Sequence, residues 1–407
     1  MSDVVSGGLG ARALDVLRRP LLVLPVTIPA LVVALWLVVD RVGGWHIDLE
    51  VYRFGVDALL GGGDLYGTLP LTKNDISLPF LYPPFAALLL MPFALVPWMV
   101  AWPALLALST GAIAVTLFVT ARALWPSGGT AGAVSVTSAA LPLAFLLEPV
   151  YSTIDYGQIN LLLMALVAAD CLPRRTRLPR GMLIGIAAAI KLTPAAFVLF
   201  FLLRGDRKAA GVAAATGVGA TLLAFAILPE ASLRFWRDNP TSVMSGAPFY
   251  TNQTFYVVLV RAGVDGPLRT VLWLVLAAAL LAVLVPVIRR APAPLALVTT
   301  AALALLASPT SWSHHWVWVV PAVLVVAATA WRSASTGWWL AAAAMAVVYT
   351  TAPHTWGLPR DNGVELGWSA GQQFVGATFV WFTTTLLVVL ALTRRRARAA
   401  AGEHTRV

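Results

Sequence analysis

The sequence predicts an all-α polytopic membrane protein, and three observations carry that prediction. The 407 residues are 59% hydrophobic and only 11% charged, where a soluble domain carries roughly 25% charged residues. The mean hydropathy is +0.82. Apolar runs near the ~20 residues needed to span a bilayer recur along the chain. Such runs are too long and too uniform for a β-barrel, whose strands are short and alternating. The net charge of +10 is clustered between or beyond the runs: Arg12, Arg18 and Arg19; Arg174, Arg175, Arg177 and Arg180; Arg204, Arg207 and Lys208; Arg289 and Arg290; Arg394, Arg395, Arg396 and Arg398. That is the positive-inside pattern of cytoplasmic loops. It argues against a nucleic-acid partner, which calls for a contiguous basic segment with interleaved aromatics. The single Cys171 excludes an intrachain disulfide and reads as a small hydrophobe.

Residues 1–19 form a short basic tail and 20–40 the first span. That span reads as a retained helix, since no small-residue cleavage site follows a short apolar core. Residues 41–80 are a first exterior loop, with Leu49, Tyr52, Val56, Leu59 and Leu60 at helical spacing. The spacing predicts an amphipathic helix in the interface, ended by Gly61, Gly62 and Gly63. The apolar stretch from Tyr82 to Arg122 exceeds one span, and Pro92, Pro97 and Pro103 break it. Two segments are expected there, the first short. Runs at 130–149 and 158–172 flank a polar turn, the run 181–203 is interrupted at Lys191–Pro194, and a span covers 209–228. A second exterior loop, 229–266, precedes spans at 268–288, 294–312, 315–331, 337–353 and 373–393, with a third exterior loop at 354–372. The total is about 12 spans with both termini cytoplasmic. The charge rule holds through residues 82–208 only if some segments there are half-length or re-entrant, which is tolerated where they line a polar cavity. No repeat or soluble segment divides residues 1–407, which read as one domain.

Asp48 emerges at the membrane boundary beside Trp45 and Tyr52. A loop carboxylate is ordinarily just solvated. At the boundary, however, it can reach the hydroxyl of a substrate held in lipid, as a general base must. Lys191 lies inside an apolar run, with Pro194 three residues on. An ammonium there either snorkels or faces an aqueous cavity, where a lipid phosphate would be its anion. His314 and His315 are adjacent, so on a helix they point about 100° apart and lack the i, i+4 spacing of a zinc helix. No metal is expected. The pair reads as part of an aromatic belt or as donors to a phosphate or sugar hydroxyl. Glu148, Asp155, Gln158 and Asn160 cluster around one turn, and Asn252 and Gln253 form an amide pair in the second loop. Amides offer donors and acceptors together, suited to sugar hydroxyls or to ordinary loop bracing. Tyr250, Phe255 and Trp236 lie near enough in sequence to stack on a sugar ring.

The motifs Asp48-Leu-Glu-Val-Tyr52, Phe80-Leu-Tyr-Pro-Pro-Phe-Ala86, Glu148-Pro, Asp155-Tyr-Gly-Gln-Ile-Asn160, Ile190-Lys-Leu-Thr-Pro194, Asn252-Gln-Thr254 and Ser308-Pro-Thr-Ser-Trp-Ser-His-His-Trp316 follow one another in this order. The set resembles the polyprenyl-phosphate-mannose-dependent mannosyltransferases of actinobacteria, a GT-C family (family 87). The resemblance implies a GT-C fold and an inverting, metal-independent transfer without a cofactor. It implies a polyprenyl-phosphate-mannose donor, a phosphatidylinositol tetramannoside acceptor and an α-1,2 product, made at the periplasmic face of the plasma membrane. It casts Asp48 as the general base and places Lys191, His314, His315 and Tyr82 at the donor phosphate. Around the sugar and acceptor it puts Glu50, Tyr52, Asp155, Gln158, Asn160, Asn252, Gln253, Trp312 and Trp316. Two positions depart from the family: Glu50 stands where His is common, and Thr254 where Ser is common. Glu50 is therefore a candidate second carboxylate at the site. Related members use other mannan acceptors or an arabinofuranosyl donor. A lipid or sugar transporter is the rival class; it shares broken helices and midplane charge, but calls for charges deep in several spans and a repeat between halves.

Overall fold

The computed structural model describes residues 14–41, 44, 46–173 and 176–404. Arg12, Arg174, Arg175 and Trp45 lie outside the described residues, as does the start of the basic tail. The described chain is helical, with one isolated bridge between Asn252 and Trp312. Among the described residues, six helices are long and apolar enough to cross a membrane, or seven if a pair bent by 69° counts as one crossing. The chain is thus a polytopic membrane protein with fewer full-length helices than its hydropathy suggests. The difference is helices too short to cross alone.

Helix α1 (Pro20–Arg41) is the first long apolar helix. It is followed by α2 (Ile47–Leu60), which ends at Gly61. The apolar face of α2 is buried within the protein: Leu49, Tyr52 and Val56 are each at most 1% exposed, whereas Leu60 is 54% exposed. The burial that the amphipathic pattern asks for is therefore largely supplied by protein. Next come α3 (Pro84–Leu95) and α4 (Trp98–Leu124), separated at Pro97. Only Pro97 breaks the chain. Pro92 and Pro103 sit inside helices, where the freed carbonyls of membrane helices find other partners. Arg53 of α2 reaches across to donate to the carbonyls of Phe93 (2.5 Å) and Val96 (2.8 Å), closing the end of α3.

The polar middle of the chain folds into short pieces. After α5 (Gly129–Ala144) and α6 (Glu148–Asp155) come α7 (Asn160–Cys171) and α8 (Met182–Ile190). A 3-10 turn, Thr193–Phe197, leads into α9 (Val198–Leu203). Helices α3 and α7 have 12 residues each and α8 has 9, each shorter than the ~20 residues of a full crossing. Asp170 caps α8, accepting from the amides of Gly181 (2.7 Å) and Ile184 (2.9 Å). The remaining elements are α10 (Arg207–Ile227), α11 (Pro229–Asp238), α12 (Phe255–Arg261), α13 (Gly266–Arg290), α14 (Ala293–Ala307), α15 (Val319–Ser333), α16 (Thr336–Thr351), α17 (Ala370–Gly376) and α18 (Thr378–His404). Arg204 donates to the carbonyls of Ile288 (3.0 Å) and Ala291 (2.9 Å) at the end of α13, where a cation complements the helix dipole.

Helix α8 packs closely along α10. The contact depends on small residues, as membrane helix pairs commonly do. A Cβ at Gly185 would lie 2.5 Å from the Ala213 carbonyl oxygen and 2.6 Å from the Thr216 Cβ. Gly185→Leu should therefore destabilise the protein by about 1–3 kcal/mol, the usual cost of overpacking. The measurement is the melting temperature of purified protein in detergent; an unchanged value would contradict this packing.

Candidate active site

The site begins where two helix ends meet. The last carbonyls of α6 and the first amides of α2 are the groups a helix leaves unpaired, and here they pair with each other. The His46 amide donates to the Asp155 carbonyl (2.7 Å), and the Asp48 amide donates to the Tyr156 carbonyl (2.9 Å). The turn after α6 approaches closely enough that a Cβ at Gly157 would sit 2.7 Å from Leu49 Cβ, and Gly157 has φ +69°. Glycine is the residue that fits both constraints.

This junction sets Asp48 against Gln158. The Gln158 side chain hydrogen-bonds the Asp48 carboxylate. Its orientation follows from its other end: the Tyr82 hydroxyl donates to Gln158 Oε1 (2.9 Å), and the Tyr52 hydroxyl lies 3.2 Å from the same oxygen and 2.9 Å from the Tyr82 hydroxyl. With Oε1 accepting, the amide nitrogen is the group left to donate to Asp48. Burial pushes the Asp48 carboxyl up to about 6, against the opposing pull of the Gln158 hydrogen bond and the Lys191 charge. Burial likewise raises the Tyr82 hydroxyl above its ordinary value, with the Asp48 charge adding to it.

Lys191 follows the last turn of α8 in extended conformation (φ −146°, ψ 130°). Its ammonium donates to Asn160 Oδ1 (2.9 Å), lies 3.2 Å from His315 Nε2, and sits 5.3 Å from the centre of the Tyr82 ring. A charged ammonium can only donate, so His315 Nε2 accepts and its proton is on Nδ1. One ammonium proton remains for a ligand. The backbone of His314 is pinned by Thr153 Oγ1 (2.8 Å) and Asn160 Nδ2 (3.1 Å), both donating to its carbonyl. Among the described residues, both ring nitrogens of His314 are buried without a hydrogen-bond partner, while the ring lies edge-on to Tyr156 at 5.0 Å and to His315 at 4.8 Å. Below them, buried Glu148 accepts from the Ser313 hydroxyl (2.8 Å) and ties α6 to the 3-10 turn Ser313–Trp318.

Asp48, Tyr82, Asp155, Gln158, Lys191, Trp312, His314 and His315 all line one cavity of about 920 Å³. The same lining includes Thr241, Ser242, Tyr250, Arg360 and Asp361. Of these only Tyr250 stood out in the sequence; the others lack a motif and arrive from two separate loops. A second, apolar groove of about 780 Å³ runs between α7, α9, α13 and α14, and has Asn160 in its wall. The cavity and the groove share Leu192, Thr193, Ser308 and His315.

Five of the expected sugar or acceptor residues lie outside both linings. Tyr52 is behind the wall, holding Gln158. Glu50 is 4% exposed; its carboxylate accepts from the Lys73 amide (2.9 Å) and pairs with the Lys73 ammonium (3.8 Å). Two residues from Asp48 on a helix, it points to a different side, and it anchors the loop instead of joining the base. Asn252 accepts from the Ser311 amide (3.1 Å) and donates to the Ala247 carbonyl (3.0 Å). Gln253 donates to the carbonyls of Tyr250 (2.9 Å) and Gly376 (2.7 Å). Both amides are fully buried braces of the second loop. Trp316 is turned away from the cavity and packs on Tyr349 and Phe379. A 3-10 turn rotates its side chains by about 120° per residue, so with the two histidines flanking the cavity the following tryptophan falls on the remaining side.

Residues 80–309 match the pattern of glycosyltransferase family 87. The polyprenol-phosphate-mannose-dependent alpha-(1-2)-phosphatidylinositol mannoside mannosyltransferase of Mycolicibacterium smegmatis is 38% identical over 381 residues, covering 88% of this chain and 86% of that protein. Its namesake from Mycobacterium tuberculosis is 36% identical over 370 residues, covering 86% and 85%. The polyprenol-phosphate-mannose-dependent alpha-(1-2)-phosphatidylinositol pentamannoside mannosyltransferase of Mycolicibacterium smegmatis is 32% identical, covering 83% and 84%. No solved structure matches. The family pattern spans more than half of the chain and the relatives align over most of it: this chain belongs to glycosyltransferase family 87.

Proposed function

We propose that the chain transfers mannose from polyprenyl-phosphate-mannose to the 2-hydroxyl of a mannose on phosphatidylinositol tetramannoside, giving the α-1,2-linked pentamannoside. The observation that carries this reading is the junction at His315 and Leu192, where a polar cavity holding Asp48 opens into a long apolar groove. A lipid phosphate fits that junction: prenyl chain in the groove, phosphate at Lys191, sugar towards Asp48. The names of the relatives support a polyprenyl-phosphate-mannose donor and a phosphatidylinositol mannoside acceptor. The same reading takes in the GT-C fold as one domain, with α2 near the membrane interface. It puts the cavity on the periplasmic side of the plasma membrane and both termini in the cytoplasm. The short apolar helices would then be the partial crossings that raise the count towards about 12.

The chemistry is one in-line displacement. Asp48 takes the proton of the acceptor hydroxyl, whose oxygen attacks the anomeric carbon as the bond to the phosphate oxygen breaks. Polyprenyl phosphate leaves with the electron pair, and the anomeric centre inverts from β to α. The leaving oxygen gains charge facing the Lys191 ammonium and the buried imidazole of His314, groups already in place before the reaction. Because Nε2 of His315 is occupied by Lys191, His314 is the histidine with nitrogens to offer. A second reading, with the pentamannoside itself as acceptor, is favoured by the relatives named for that substrate.

The test is transfer of radiolabelled mannose from polyprenyl-phosphate-mannose by the purified protein in lipid, with tetramannoside and pentamannoside acceptors in parallel. Product from the first supports the proposal, product from the second alone selects the alternative, and no transfer to any mannoside acceptor refutes both. Asp48→Asn should lower kcat by about 10²–10⁴-fold, the usual contribution of a positioned base, with fold and abundance intact. The wild-type rate should fall as the pH drops through about 6, where Asp48 becomes protonated. The Gln158 hydrogen bond holds that value down, so Gln158→Leu should move the acid limb to higher pH; a limb that stays put would contradict the Asp48–Gln158 contact. Lys191→Ala should impair donor use more than acceptor use, measured as separate KM values; equal effects on both would count against the phosphate assignment.

A further inference from the structure

His46 stands at the entry to α2 and takes no part in the chemistry described above. Its backbone is left-handed (φ 31°, ψ 30°), a conformation that side chains other than Gly, Asn and Asp seldom adopt. Its ring is buried, 4% exposed for the residue as a whole. The ring lies edge-on to Trp102 at 4.6 Å and 5.9 Å from Trp98, both on α4. Its Nδ1 is 2.9 Å from the Asp155 carbonyl oxygen, which already receives the His46 amide. A carbonyl can only accept, so Nδ1 carries the proton and the contact sets the tautomer. Burial lowers the imidazole below its ordinary value, against the opposing pull of its hydrogen bond to the Asp155 carbonyl.

Asp155 is three residues before Gln158, and His46 two before Asp48. One doubly bonded carbonyl therefore fixes both partners of the Asp48–Gln158 pair. We propose that His46 is a positioning residue for the general base: its Nδ1–H, donated to the Asp155 carbonyl, locks the start of α2 to the end of α6 and holds Asp48 in register with Gln158. This rests on the role of Asp48 under the proposed function. It leads to a specific division of labour, in which the ring fills the space beside Trp98 and Trp102 while the N–H sets the register.

Two variants separate these contributions in the full-length enzyme assayed with polyprenyl-phosphate-mannose and its mannoside acceptor. His46→Phe keeps an aromatic ring and loses the donor. His46→Asn loses the ring and keeps an N–H able to reach the carbonyl. The expected result is a kcat lowered about 10- to 100-fold in His46→Phe, the scale of a misplaced catalytic group, with both KM values within about twofold of wild type. His46→Asn should recover most of that loss. Wild-type kcat in His46→Phe overturns the proposal, and so does a loss in His46→Asn as large as that in His46→Phe, because the retained N–H would then have restored nothing. If His46→Phe does not accumulate, His46→Asn decides alone: kcat within about threefold of wild type supports the proposal, and a larger loss overturns it. Failure of Asp48→Asn to lose activity would instead remove the base assignment, so the two failures are distinguishable.

Discussion

An ammonium among apolar helices needs partners, and the centre of this protein is arranged around that need. Lys191 interrupts what would otherwise be one helix from Met182 to Leu203. Leaving the charge unpaired would cost several kcal/mol. The break puts the ammonium instead against Asn160, His315 and the face of Tyr82. Each of those partners is held in turn: Asn160 by the His314 carbonyl, Tyr82 by Gln158. The short helices α7 and α8 are the geometric consequence, because helix ends must come inward where the polar groups are.

The carboxylate faces the same cavity from the opposite construction. Lys191 enters through a broken apolar helix, whereas Asp48 is delivered by a helix start pinned to a helix end. Desolvation by the apolar surroundings weakens the ionised form of Asp48, and Gln158 and Lys191 restore part of it. The outcome is a carboxyl basic enough to accept a proton and still ionised near neutrality, the balance general-base catalysis asks for. The tyrosine pair behind Gln158 orients the amide without touching the cavity from both rings: Tyr82 is in the lining and Tyr52 behind it.

Neighbouring residues with similar chemistry are thereby separated in role. Asp48 and Glu50 are two residues apart on α2, yet one lines the cavity and the other holds Lys73. His315 accepts from Lys191 while His314 keeps its nitrogens clear of protein partners. Asn160 serves the ammonium, whereas Asn252 and Gln253 staple the loop before α12 to Ser311 and Gly376. Hydrogen-bonding capacity is common to all of them, and what each does follows from which atoms the fold leaves unused.

The sequence by itself determined the membrane class, the ends of the long helices α1, α10 and α13 to within about two residues, and the order of the motifs. Those properties are local: apolar length, proline placement and capping glycines act over a few residues. It likewise marked Asp48 and Lys191, because a charge at the edge of or inside an apolar run is costly wherever the rest of the chain goes. Only the tertiary structure decided that Glu50, Asn252, Gln253 and Trp316 face away from the cavity, that Pro97 alone breaks the stretch after Tyr82, and that His46 grips the Asp155 carbonyl. These depend on contacts between residues far apart in sequence, such as the 109 positions separating His46 from Asp155. A side chain's direction on a helix is settled by its neighbours in space, and the one-dimensional pattern carries no record of which neighbour will be there.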